Sequence, residues 1–180
     1  MNERKKKIIV LDVETTGLDC LCDEILQLSI IDGEGDTLFD EYIKPIKHIQ
    51  WPQAENINGI SPEMVKDKLT FECYKGEVQS IIDSADLIVG YNLNFDIWFL
   101  KYSGITIDFT KDFYDVMLKF AAIYGEWSDY YMDYKWQKLT TCASYYCYEW
   151  EENAHNSLGD CKATLYCYNK LIKNEGENDE

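Results

Sequence analysis

The run KIIVLDV, residues 7–13, constrains this chain more than any other stretch. Its β-branched residues and the nearby Gly17 predict a buried strand. Yet Asp12 lies inside the run and Glu14 follows directly, and a buried carboxylate is costly without a partner. Residues two apart on a strand leave the same face. The two acids therefore point one way, where TTGL (15–18) turns the chain out of the strand. Alone, such a pair is more often a solvated strand end than a site.

Residues 24–32 (EILQLSIID) predict a second strand and 37–45 (TLFDEYIKP) a third, separated by the turn GEGD. Three successive antiparallel strands form a meander rather than a βαβ unit. Ser61 as N-cap, Pro62 at the first helical position and Glu63 in the first turn predict a short helix. Residues 71–85 predict an amphipathic helix, and 86–92 a short apolar strand that stops at Gly90. Residues 94–104 predict a helix capped by Asn94 and ended by Gly104. Residues 113–125 combine a short strand with a helix, without a legible boundary. Residues 126–136, rich in Asp and aromatics, read as a loop, and 138–150 as a helix. The last helix begins at Ser157 or Leu158 and sets Leu158, Cys161, Leu165, Tyr168 and Ile172 on one face. This order specifies an α/β fold, a mixed sheet covered by helices.

The 180 residues fit one domain, here residues 1–174, with an acidic tail at 175–180 that reads as a frayed end. At 46% hydrophobic residues the chain can bury a sizeable core. A net charge of −16 argues against a large basic face for nucleic acid, although not against a local grip on a few phosphates. The seven cysteines contain no C-x-x-C pair, which excludes zinc-ribbon spacing. RKKK before IIVL imitates a signal peptide, but the apolar run is too short and Asp12 ends it. No stretch is long enough to span a membrane. The expectation is a cytoplasmic protein with reduced cysteines serving mostly as small core residues.

Two further clusters carry chemistry. In YNLNFD, Asp96 enters the first turn of a helix just after a buried strand, where α/β proteins often build sites. An acid there also simply complements the helix dipole. In HNSLGD, His155 and Asp160 are five apart, roughly 140° around a helix. They can share a site only if His155 sits on the loop and Asp160 inside the helix, with Asn156 and Ser157 as cap residues.

Taken in order, Asp-x-Glu, then Asp, then His-x4-Asp resembles the DEDD superfamily of 3′→5′ exonucleases in its histidine branch. That group includes the epsilon proofreading subunit of DNA polymerase III and ribonuclease T. DVETTGL, GYNLNFDIWFL and AHNSLGDCKATL are close to its three motifs. The tyrosine branch would place Tyr where this chain has Asn156. Two positions depart from the pattern: Tyr91-Asn92 stands where the family often has His-Asn, and Asn58-Gly59-Ile60 where it often has His-Gly-Ile. Both bear on substrate grip rather than on metal ligands.

The resemblance implies a ribonuclease H-like fold and a metal-dependent hydrolase. Four carboxylates in one pocket repel, by about 1 kcal/mol per pair at ~4 Å in water and roughly 4 kcal/mol at an effective dielectric of 20. Hard divalent cations, Mg²⁺ or Mn²⁺, relieve that repulsion. The family pattern makes Asp12, Glu14, Asp96 and Asp160 the ligands of two ions and His155 the general base. It also implies that Thr15 and Thr16 meet the terminal sugar and that Leu18 packs on the last base, with Asn92 and Phe95 as further contacts. Phe95 reads more readily as a core residue, since buried aromatics are usual in such helices. The expected substrate is a single-stranded DNA or RNA 3′ end, and the product a nucleoside 5′-monophosphate. Lys135, Lys138 and Lys162 could add local positive charge. The rings of Tyr130, Tyr131, Tyr134 and Trp136 could stack on bases or pack on a neighbouring helix. The alternative is a domain that keeps the fold but only binds nucleic-acid ends or a protein. The choice between DNA and RNA, a homodimer and a polymerase partner all stay open.

Overall fold

The computed structural model describes residues 6–150 and 156–177, with side chains to residue 173. Its first three strands, β1 (Ile8–Thr15), β2 (Ile25–Asp32) and β3 (Thr37–Tyr42), form the expected antiparallel meander. β3 stops before Pro45, and the Lys44 N–H donates instead to the Leu69 carbonyl at 2.9 Å. Helices α1 (Pro52–Asn58), α2 (Pro62–Val65) and α3 (Phe71–Ser84) lead to β4 (Leu87–Gly90). Then come α4 (Leu93–Tyr102), β5 (Asp112–Asp115) and α5 (Val116–Tyr124). A small hairpin of β6 (Trp127–Ser128) and β7 (Asp133–Tyr134) precedes α6 (Leu139–Tyr145) and α7 (Ser157–Glu177).

The sheet order is β3-β2-β1-β4-β5, with β4 and β5 parallel to β1. β1 is thus central, which is why its residues are apolar on both faces. Ile9, Leu11 and Val13 join Val78 and Ile82 of α3 and Ile97, Phe99 and Leu100 of α4 in one core layer. Val10 joins Val116 and Phe120 of α5, Cys142 of α6, and Cys161, Leu165, Cys167 and Leu171 of α7 in the other. Each fully buried large side chain contributes about 1.5–3 kcal/mol. By strand parity, Asp12 and Glu14 share the Val10 face, the face that α7 covers.

Several expectations need correction. Asn94 lies inside α4; the cap is Asn92, in the left-handed region at φ 62°. Ser61 occupies the N-cap of α2 but makes no side-chain capping bond. The stretch 126–136 is a hairpin rather than a loop. α6 is only seven residues long, because Tyr146 leaves the helix and Cys147 turns to φ 59°. On α7, Leu171 is fully buried while Ile172 is 38% exposed. The helix packs on β1, β2 and α6 together, so its buried stripe widens through Thr164 and Cys167 and passes Ile172 by. The boundary left open in 113–125 falls at Asp115. Its carboxylate caps α5 by accepting the Met117 N–H at 3.0 Å. Among the described residues, no helix is long and apolar enough to cross a membrane.

Candidate active site

The site lies where β1 outruns β4. The parallel pairing runs from Ile8↔Leu87 to Val10↔Val89, and β4 ends at Gly90. A side chain at Gly90 would meet Leu93, whose Cδ1 is 2.8 Å from the position of a Cβ. Glycine there lets the chain fold straight into α4. Beyond Val10 the strand has no neighbour on that side, so the Val13 N–H needs another acceptor. Asp96 supplies it, from the first turn of α4, with Oδ1 at 3.1 Å. Its other oxygen, Oδ2, is buried without a hydrogen-bond partner.

Asp12 and Glu14 project from β1 toward α7, and Asp160 in the first turn of α7 meets them. One carboxylate oxygen from each lies within 4.8 Å of the other two. The start of α7 is fastened on both sides of Asp160. Asn156 caps the helix, its Oδ1 accepting the Leu158 N–H at 3.1 Å. The Ser157 and Ser29 hydroxyls are hydrogen-bonded at 2.5 Å, and Ser29 also donates to Asp40 at 2.8 Å. Cys161 directs its thiol to the carbonyls of Val10 and Ser29, at 3.7 and 3.4 Å. Ser29, Asp40 and Cys161 were not singled out for the site from sequence. Only a hydroxyl facing inward on an otherwise apolar strand could have flagged Ser29.

The electrostatics of this floor are unfavourable. Burial pushes Asp12 well above the ordinary carboxylate range, and Asp96, Asp160 and Glu14 add to the rise. Burial and Asp160 lift Glu14 to about 8, against the Asn58 amide, which favours its charged form. Burial also lifts Asp96; the Val13 N–H opposes this, while Asp115 and Glu14 reinforce it. Such a cluster wants a cation. The donors are hard oxygens, three of the carboxylates converge, and Asp96 holds an unsatisfied oxygen beside them. The residues present therefore fit a hard divalent ion.

The loop between β1 and β2 wraps around the Asp23 carboxylate. Asp23 accepts the Thr16 hydroxyl at 3.2 Å and the Asp19 N–H at 2.9 Å. A Cβ at Gly17 would collide with the same carboxylate. Thr15 and Thr16 are buried, while Leu18 at the tip is 86% exposed. Asn58, brought in by the unforeseen helix α1, donates to the Thr15 carbonyl at 3.2 Å. Phe95 packs half-buried against the core beside Phe99, with ring centroids 4.7 Å apart. Asn92 donates its N–H to Asp115 at 3.2 Å. His155 falls outside the described residues.

This fold and this acidic floor are those of a nuclease. Residues 9–168 match the exonuclease family RNase T. An uncharacterized exonuclease, CP81, of Escherichia phage 186 is 30% identical over 174 residues, which cover 92% of this chain and 88% of the phage protein. The 3′-5′ exonuclease DinG of Bacillus subtilis is 36% identical over 102 residues, 54% of this chain and 11% of DinG. The fold of Escherichia coli exonuclease I, solved in complex with a dA16 oligonucleotide, superposes with a TM-score of 0.74 at 20% identity. That superposition covers 94% of this chain and 41% of exonuclease I. The chain belongs to the RNase T exonuclease family, within the DEDD superfamily.

Proposed function

We propose that the protein is a 3′→5′ exonuclease that removes nucleoside 5′-monophosphates from single-stranded DNA or RNA ends. The observation that carries this reading is the convergence of Asp12, Glu14 and Asp160 within 4.8 Å beside the unsatisfied Oδ2 of Asp96. In this reading Asp12, Glu14, Asp96 and Asp160 would hold two divalent ions, Mg²⁺ or Mn²⁺. Such a pair, when bound, lowers the pKa of a water and neutralises charge on the leaving 3′ oxygen. The chain's own residues supply the rest. His155, from the segment before α7, takes the proton of the attacking water as general base. The backbone at Thr15 and Thr16 receives the terminal sugar on a loop already fixed by Asp23. Leu18 offers its exposed side chain to the last base, and Asn92 and Phe95 border the same end of β4.

Support also comes from relatives: the B. subtilis relative is named for 3′-5′ exonuclease activity, and exonuclease I was solved with a single-stranded oligonucleotide. The test is digestion of labelled single strands, DNA and RNA in parallel, with Mn²⁺ or Mg²⁺ and with EDTA. Stepwise shortening from the 3′ end that EDTA abolishes is expected. Intact strands in every metal condition would turn the reading toward a binding domain that keeps the fold.

A further inference from the structure

A cleft of about 580 Å³ opens beside the start of α4, between α4, β5 and α5. Asn92, Asn94, Phe109, Phe113, Lys119 and Trp136 line it. Two of its rings face water, Phe109 at 58% and Trp136 at 65% exposure. Ammonium groups attend the aromatic wall. Lys101 Nζ is 5.3 Å from the Phe109 ring centre, and Lys119 Nζ is 5.6 Å from that of Tyr114. Trp136 is anchored through its neighbour: the Tyr91 hydroxyl donates to the Gln137 carbonyl at 2.8 Å. Tyr91 itself directly follows β4, one residue before the Asn92 cap of the helix that carries Asp96. Asp115, in the cleft wall, is also among the charges that lift Asp96. Cleft and acidic floor are therefore neighbours.

We propose that this cleft holds the upstream bases of the strand whose 3′ end occupies the acidic floor. Trp136 and Phe109 are the stacking surfaces, and Lys101 and Lys119 face the phosphates. The assignment rests on the exonuclease reading above for the direction of the strand. Aromatic faces beside cations are the usual means of holding a single strand without reading its sequence. On a chain of net charge −16, Lys119 in the lining and Lys101 at the rim, between the Trp98 and Phe109 rings, offer a polyanion local positive charge against the one carboxylate of the wall, Asp115. A second copy of the chain would bring the same negative charge. The neighbouring hairpin carries Asp129 and Asp133, which repel phosphate from Tyr130 and Tyr131 and favour the cleft.

The test uses Asp12→Ala protein, which holds a strand without cutting it, and oligothymidylates from dinucleotide to decanucleotide, read by fluorescence anisotropy. Affinity should climb with length. Adding Trp136→Ala should cost the decanucleotide on the order of tenfold, Phe109→Ala a similar factor, and Trp136→Phe much less. Removing the upstream bases from the oligonucleotide should reproduce the loss and add little to Trp136→Ala. A flat dependence on length would overturn the proposal. So would decanucleotide affinity that neither ring substitution changes, the result expected if the cleft docks a protein. The two readings fail separately. Ring-dependent, length-dependent binding without metal-dependent cleavage by the unsubstituted chain would sink the exonuclease reading alone. Cleavage with a flat length dependence would sink the cleft alone.

Discussion

The acidic floor and the aromatic hairpin put their side chains to opposite use. The floor sits on the central strand and the first turns of two helices, in a place where burial penalises the charges of Asp12, Glu14 and Asp96. The hairpin is two strands of two residues, held by the Trp127–Tyr134 ring pair at 5.4 Å and by the Lys135–Glu126 ion pair at 2.7 Å. Its rings at Tyr130 and Tyr131 are largely exposed. Strained charge can be held only where the surrounding packing leaves it no escape; exposed rings need no such enforcement. Substitutions in the floor should therefore move activity and metal binding, whereas substitutions of the exposed rings should leave stability almost unchanged.

The largest effect should come from Asp12→Ala. Nuclease activity should fall on the order of 10³-fold or more, while the melting temperature without metal holds or rises, because one buried charge is gone. A lower metal-free melting temperature would show that Asp12 supports the fold as well as the chemistry. Next, Mn²⁺ at 100 times its dissociation constant should stabilise the native chain by about 2.7 kcal/mol. A thermal melt should read this as a rise of several degrees, and Asp160→Ala should lose most of it. Ser157→Ala, which breaks the Ser29 bond at the start of α7, should cost about 1–2 kcal/mol in urea unfolding.

A smaller effect concerns Glu24, outside the floor. Burial works to raise its pKa, but the N–H groups of Ile46, Lys47 and His48 and the His48 ring together lower it. A carboxylate lowered on folding stabilises above its unfolded pKa and loses that contribution as pH falls through the folded one. Glu24→Gln should therefore flatten the acid limb of the stability profile below about pH 4.5. Smallest of all, Tyr130→Ser in the hairpin should change stability by no more than about 0.5 kcal/mol, by the same urea measurement.

The parts legible in the sequence were those where periodicity and chemistry coincide. The meander showed in its β-branched runs, and three of the acids stand at the ends of elements that those runs fix. The helix α1 was not foreseen because it contains no buried residue to give it an apolar period. The hairpin's strands are too short for alternation to register. Asn92 rather than Asn94 caps α4 because the short β4 forces a left-handed turn directly after Tyr91, and cap preference alone cannot tell two asparagines apart. The fastening of α7 by Ser29 and Cys161 depends on which face of β2 meets which face of the helix. No local pattern records that.

The early end of β4 at Gly90 has its own consequence. Had the two parallel neighbours been of equal reach, the Val13 amide would have been zipped to a backbone carbonyl and the α4 acid left outside. A missing rung in the ladder is thus what admits the fourth carboxylate.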